Sequence, residues 1–340
     1  KEDDMKHKRW LIGALILLIG LGGIAVAQQY PMDQMGGQQP PQQPPQSGTV
    51  QLDSSFTKAN EWLNKNNLSL TGSAAGRDDN AAFGQEMILF YGEAYGNPSH
   101  TNIAQRGGMA KRAAVVVAQR SLAEYMNGFA IVGDTLVKDG VAQYDVIRSA
   151  VAGFIKGMQI VFQDYSPEKD TAIAIIKVGM HGPDGFATSV YKKMFVTEKK
   201  MDPQFVKAIH EVDGKPVPNF KAAVVPTESY DGLIIDATEQ NFRPALINRV
   251  FTPKGELLYD PSKISQKVLV EQGCGEYTNS VDKAKAALDS RGVKNPLVIK
   301  AIGTVSPSDI QVSDDDAVKI FSANQKKGFF ASAKVAFVLK

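Results

Sequence analysis

The alanine spacing in AKRAAVVVAQRSLAEYMNG, residues 110–128, restricts the fold more than any other feature of this chain. On a helix, Ala110, Ala113, Ala114, Val117, Ala118, Leu122 and Tyr125 share one face, while Arg112, Gln119 and Glu124 lie largely off it. Small side chains four residues apart let a helix lie close to a sheet, and Gly128 is a natural stop. The run holds no catalytic dyad and no metal ligands, so its alanines read as packing elements.

Strands to receive such a helix stand on both sides of it. QEMILFYGEAYG is aromatic, β-prone and bounded by glycine, which predicts a strand across Met87–Ala94. In TAIAIIKVGM, Ile173 and Ile175 alternate with Ala172 and Ala174, which predicts a second strand over Thr171–Met180. Residues 129–166 read as strand, turn, short helix and strand. Upstream, SSFTKANEWLNKNN is a short helix with Phe56, Ala59 and Leu63 on one side. The pattern is α+β, with helices packed on mainly antiparallel sheets.

Another such series follows a polar stretch that carries GKPVPN and a short helix near Pro203–His210. GLIIDA is a strand, INRVFTPKGELLYD a hairpin turning at Pro253–Gly255, and SVDKAKAALDSRG a helix ending at Gly292. PLVIKAIG is a strand. Ser313 with Asp316 opens a helix through Phe321, and FFASAKVAFVLK closes as a strand with Val335, Phe337 and Leu339 on one face. The expected organisation is two small units, 51–200 and 230–340, joined by a connector at 201–229.

The N-terminus predicts the compartment. Lys6, Lys8 and Arg9 precede the apolar run LIGALILLIGLGGIAVA, which ends in Ala25-Val26-Ala27 before Gln28. Met5, just before the basic cluster, reads as the initiator. A basic start, a short apolar core and small residues at a break read as an export signal over 1–27, with Ala25, Ala27 and Gln28 marking cleavage. The alternative is an uncleaved anchor, since the run is near the lower limit of about 17 residues for a spanning helix. Residues 28–50, rich in glutamine and proline, then form a disordered tether. The chain is expected in the periplasm or at the cell surface of a bacterial envelope, touching the membrane only through its N-terminal segment if that is retained.

Charge and motifs exclude several functions. A net charge of +2 over 340 residues provides no basic surface for nucleic acid. The single cysteine, Cys274, forms no internal disulfide, has no histidine near it in sequence, and reads as a buried thiol. His7, His100, His181 and His210 lack metal-ligand spacing, and Asp314-Asp315-Asp316 meets a helix dipole rather than forming a calcium loop. Gly76-Arg77-Asp78-Asp79-Asn80 reads as ordinary turn chemistry. The phosphate-loop, nucleophile-elbow and dinucleotide motifs are missing. No enzyme, cofactor or metal is expected.

GGMAKRAAVVVAQRSLAEYMNG, then GDTLVKDG, then VIRSAVAGFIKGMQIV, together resemble the LPP-20 lipoprotein family and related flagellar-assembly domains, over about Ile88–Met180. The resemblance implies a bacterial envelope protein, and several members form or support rings and discs around the flagellar motor. YDGLIIDATEQNFRPALINRVFTPKGELLYD, with NPLVIKAIG, resembles the C-terminal extension of some exported LPP-20-like proteins. That extension usually reads Asp-Ala-Arg-Gly, whereas Asp236-Ala237 is followed here by Thr238-Glu239. A second departure is that no lipid-attachment cysteine stands at the signal boundary. The expected function is a non-catalytic structural or assembly role, as a homo-oligomeric ring, disc or fibre, with other envelope proteins as further partners. The alternative is a periplasmic module binding a small ligand or cell-wall component between its two units.

Overall fold

The computed structural model describes residues 50–73, 76–137, 157–197, 200–224 and 228–340, with isolated positions at 147, 150–151 and 153. The export segment, its cleavage residues, the tether up to residue 49 and most of VIRSAVAGFIKG lie outside them. The described residues fall in one compact unit.

The first half runs α1 (Thr57–Lys65), β1 (Gly72–Ser73), β2 (Gly76–Arg77), α2 (Asp79–Gly84), β3 (Met87–Tyr95), α3 (Ile103–Asn127), β4 (Ala130–Val132), β5 (Thr135–Leu136), β6 (Gln159–Ser166) and β7 (Thr171–Gly179). A five-stranded sheet has the order β2-β1-β3-β7-β6, with β3, β7 and β6 antiparallel. Strand β7, between β3 and β6, is covered on both faces, and its alternation sorts them. Ile173 and Ile175 pack with Ala59 and Leu63 of α1, while Ala172 and Ala174 pack with Ala110 and Ala114 of α3.

The alanine helix begins earlier than expected. Asn102 caps it by accepting a hydrogen bond from the Gln105 amide at 3.1 Å, so the helix starts at Ile103 rather than Ala110. Gly107 lies inside it because a Cβ there would meet the Tyr165 ring at 2.7 Å. Ala110, Ala114, Ala118, Leu122 and Tyr125 are buried, as the spacing predicts. Ala113 and Val117 are not. Each precedes a buried alanine by one residue, a rotation of about 100° that turns it to the outer side.

The second half runs α4 (Phe186–Lys193), β8 (Phe195–Thr197), β9 (Lys200–Met201), α5 (Pro203–His210), β10 (Glu211–Val212), β11 (Lys215–Pro216), β12 (Gly232–Asp236), β13 (Arg249–Phe251), β14 (Leu257–Tyr259), α6 (Gln266–Gln272), β15 (Glu276–Thr278), α7 (Val281–Ser290), β16 (Pro296–Lys300), β17 (Gly303–Ser306), β18 (Asp309–Gln311), α8 (Asp314–Lys327) and β19 (Val335–Val338). One sheet has the order β14-β13-β18-β17, the other β15-β19-β12-β16. The chain is mixed α and β as the sequence predicts, but this last sheet is parallel throughout. Helices α7 and α8 supply the crossovers that parallel pairing requires. Val335, Phe337 and Leu339 face the main core, while Ala336 and Val338 face Ala284 and Leu288 of α7.

The stretches read as separate units share one core. A single cluster joins Phe83, Phe90, Leu122 and Phe129 to Leu233, Val250, Tyr277 and Phe337. The stretch read as a connector enters it too, since α5 buries Phe205 and Ile209 there. Buried Arg249 fixes that helix by donating from Nη1 to the Ile209 carbonyl at 3.0 Å and the Glu211 carbonyl at 2.8 Å. Its other nitrogens bind Asp309 at 2.9 and 2.5 Å. A guanidinium at a helix C-terminus meets its unpaired carbonyls and the negative end of its dipole.

Candidate functional site

Three features of the surface and interior bear on function, and two flank the place where α2 packs on β15. The first is a small, partly open pocket of about 20 Å³, lined by Glu86, His181, Tyr191, Asn248, Cys274 and Tyr277 among others. The fold brings His181, the second residue after β7, to a loop that sequence separation kept apart from it. His181 thus lies near Cys274 in space though far from it in sequence, and the thiol is buried as the sequence predicts. Gly273 and Gly275 bracket Cys274 with φ of +75° and +149°. A Cβ on Gly273 would meet His181 Cε1 at 3.2 Å, and one on Gly275 the Val335 carbonyl at 2.8 Å.

Electrostatics at this pocket follow from burial. Burial pushes the Cys274 thiol up to about 12, which keeps it protonated. It also holds the His181 imidazole below its ordinary range and raises the Glu86 carboxyl. His181 Nε2 lies 3.9 Å from Glu86 Oε1, and His181 Nδ1 is buried with no hydrogen-bond partner. The tyrosines are structurally committed: Tyr191 donates to the Leu246 carbonyl at 2.5 Å and Tyr259 to the Cys274 carbonyl at 2.6 Å. Tyr277 donates to the Ala245 carbonyl at 3.0 Å and accepts from Asn248. A space this size takes about one water, whereas small-molecule pockets run to roughly 300 Å³ or more. A thiol held protonated is a poor nucleophile. The pocket is a small polar junction with room for about one water. Cys274 is therefore expected to resist iodoacetamide at neutral pH until the protein is unfolded. Intact-mass spectrometry reads this directly, and rapid labelling of folded protein would contradict the burial argument.

The second feature is an open groove of about 610 Å³ on the other side of Tyr277. Asn67, Ser69, Asp78, Asn80 and Gln85 form one wall, and Thr278, Asn279 and Lys283 the other. Part of this lining is spoken for. Asp78 caps α2 by accepting from the Ala81 amide at 2.8 Å, and burial raises its carboxyl. Gln85 donates to the Ser69 carbonyl at 2.8 Å.

The third feature is the outer face of α3. Its inner face is spent on the sheet, yet Ile103 is 58% exposed, Met109 42%, Val116 43% and Val117 36%. Arg112, Arg120 and Glu124 are exposed on the same helix, as the spacing predicts for Arg112 and Glu124.

One charged site was hidden from the sequence. The residues read as turn chemistry at 76–80 instead supply a buried network. Asp79 accepts from Arg77 Nη2 at 2.7 Å, Tyr125 Oη at 2.9 Å, and Arg243 Nε and Nη2 at 3.1 and 2.9 Å. Arg243 is 164 residues away in sequence, so no local pattern announces it. His210 Nε2 lies 3.9 Å from Asp260 Oδ1. Among the described residues, no group of three His, Cys, Asp or Glu side chains could hold a metal ion. Asp314–Asp316 sit in the first turn of α8, where Ser313 accepts from the Asp316 amide at 3.1 Å.

A family model described as Treponema pallidum Tp0624, second domain, matches residues 232–340, from β12 to the last residue. No curated protein matches the chain. No helix among the described residues is long and apolar enough to cross a membrane.

Proposed function

We propose that this chain is a non-catalytic, exported envelope protein that self-associates into a ring, disc or fibre. The observation that carries the reading is that Met109, Val116 and Val117 stay partly exposed on a helix whose other face packs on the sheet. A contiguous exposed apolar patch marks an interaction surface, and these residues are where such a patch would form on α3. The helix that bears them is also the one carrying the LPP-20-like sequence. The export signal and the tether expected ahead of the folded unit suit an assembly held in the envelope. Protein isolated from the native host is expected to begin at Gln28 by intact mass, and cryo-electron tomography of envelopes with and without the gene should differ by a periodic density. A chain retaining residues 10–27 would turn the export reading into an anchor, and identical tomograms would end the assembly reading.

The groove favours a second reading, a periplasmic module that binds a small ligand or cell-wall component. Its amides and hydroxyls suit a neutral, hydrogen-bonding compound. A ligand at 100 times its dissociation constant stabilises the native state by about 2.7 kcal/mol. Thermal-shift measurement with soluble cell-wall fragments would register that as several degrees, and a flat response across the set would remove this reading.

A further inference from the structure

The groove beside Tyr277 carries a charge of each sign, and the chain itself pairs neither of them. Asp78 stands on the wall formed by α2, and Lys283 on the facing wall, in the first turn of α7. Asp78 is partly buried and accepts from the backbone amides of Ala81 and Asn80, both neutral donors. Among the described residues, no basic side chain pairs with it. Its neighbour Asp79 draws no cation towards it, because Arg77 and Arg243 are already bound to Asp79. Asp78 is thus a carboxylate that has given up part of its water without gaining a counterion.

The opposite wall is the complement. The Lys283 amide donates to Ser280 Oγ at 3.3 Å, which fixes the turn, while its ammonium pairs with no acidic side chain among the described residues. The adjacent Asp282 carboxylate lies 4.0 Å from Lys285 instead. Bonds within the walls keep them in place. Asn80 Nδ2 donates to the Lys340 carbonyl at 3.3 Å, and the Leu339 amide donates to the Thr278 carbonyl at 2.7 Å. Asp78 and Lys283 therefore stay apart, on two sides of a space of about 610 Å³. Asn67 and Asn279 reach the same space from opposite walls, with side-chain amides uncommitted among the described residues.

We propose that the groove binds a zwitterion, an amino acid or short peptide whose free ammonium meets Asp78 and whose free carboxylate meets Lys283. The proposal rests on the ligand-binding reading of the groove and names its ligand class. Such a compound is neutral in sum, and it brings to each wall the countercharge that wall lacks. Peptide groups between its two ends suit Asn67 and Asn279, because a side-chain amide both donates and accepts. The two ends differ in worth. A charge-assisted hydrogen bond to partly buried Asp78 contributes about tenfold in affinity. The contact with exposed Lys283 contributes about threefold and is the one that salt screens.

Isothermal titration of the full-length chain with trialanine tests the assignment. N-acetyl-trialanine and trialanine amide each lack one of the two charges, and chitotriose serves as a neutral glycan. Trialanine is expected to bind at millimolar concentration, with acetylation costing about tenfold and amidation about threefold. Asp78→Asn keeps the α2 cap, since asparagine caps a helix as well as aspartate does, and should bind free and acetylated peptide alike. Lys283→Gln should bind free and amidated peptide alike. If either variant fails to fold, the two blocked peptides on the wild type still decide the question. Equal binding of free and blocked peptides would overturn the zwitterion assignment. Binding of chitotriose without trialanine would overturn it too, while leaving the groove a binding site. Silence from every probe would remove both the assignment and the ligand-binding reading beneath it.

Discussion

Gly92→Val is expected to cost about 3 kcal/mol or more, at or beyond the upper end of ordinary core overpacking. A Cβ at Gly92 would stand 2.4 Å from both the Ala114 carbonyl oxygen and the Ala118 amide nitrogen. Both are backbone atoms of α3, so no rotamer change relieves the clash and the helix must move off the sheet. At roughly 2–4 °C per kcal/mol for a chain of this size, the melting temperature should fall by about 6–12 °C. Ala114→Leu and Ala118→Leu press on the same contact from the helix side and should cost about 1–3 kcal/mol. Arg112→Ala, on the exposed side, should stay within about 0.5 kcal/mol. Denaturant melts of these variants order the effects. Tolerance at Gly92 with loss at Arg112 would mean that the helix faces the other way.

Asp79→Ala is expected to match it in size. Asp79 is only 1% exposed, and it is the shared acceptor for two guanidinium groups and a tyrosine hydroxyl. Removing it strands Arg77, whose side chain is 8% exposed, as an unpaired buried cation. Breaking a buried pair from one side costs about 3–5 kcal/mol. Arg243→Ala should cost clearly less, because that side chain is 22% exposed and Asp79 would keep Arg77 and Tyr125. Tyr125→Phe should cost about 1 kcal/mol, the net worth of one hydrogen bond. Equal losses for Asp79→Ala and Arg243→Ala in urea titrations would show that the network is not centred on the carboxylate.

These two sites differ in how far the sequence announced them. The α3 contact was legible because packing against a sheet imposes small residues at helical spacing, and Ala110, Ala114 and Ala118 carry that pattern. The alternation in β7 was legible for the same reason, since two different layers each select their own residue size. Ser313 announced α8 through a capping interaction three residues long, although the helix runs on to Lys327 rather than stopping at Phe321. Pairings over long separations left no such trace. Asp79 with Arg243, and His181 with the Cys274 loop, depend on how the halves meet, and each residue alone looks like common turn or loop chemistry. Helix α4 leaves little trace in the sequence, because FATSVYKK mixes β-branched and aromatic residues that are neutral as helix formers, and burial of Phe186, Val190 and Tyr191 decides its state. The parallel sheet was hidden because a short apolar strand reads the same whichever way its neighbour runs.

The outer face of α3 is where the fold and the proposed role meet. Its inner residues pack on the sheet, while Met109, Val116 and Val117 keep 42%, 43% and 36% of their surface exposed. The direct measurement is multi-angle light scattering of residues 45–340 over a hundredfold range of concentration, with Val116→Asp alongside. The wild type is expected to rise above the monomer mass as concentration increases, while Val116→Asp keeps its melting temperature and stays monomeric. A wild type that remains strictly monomeric at the highest concentration would contradict self-association, and an assembly indifferent to Val116→Asp would place the contact elsewhere than on α3.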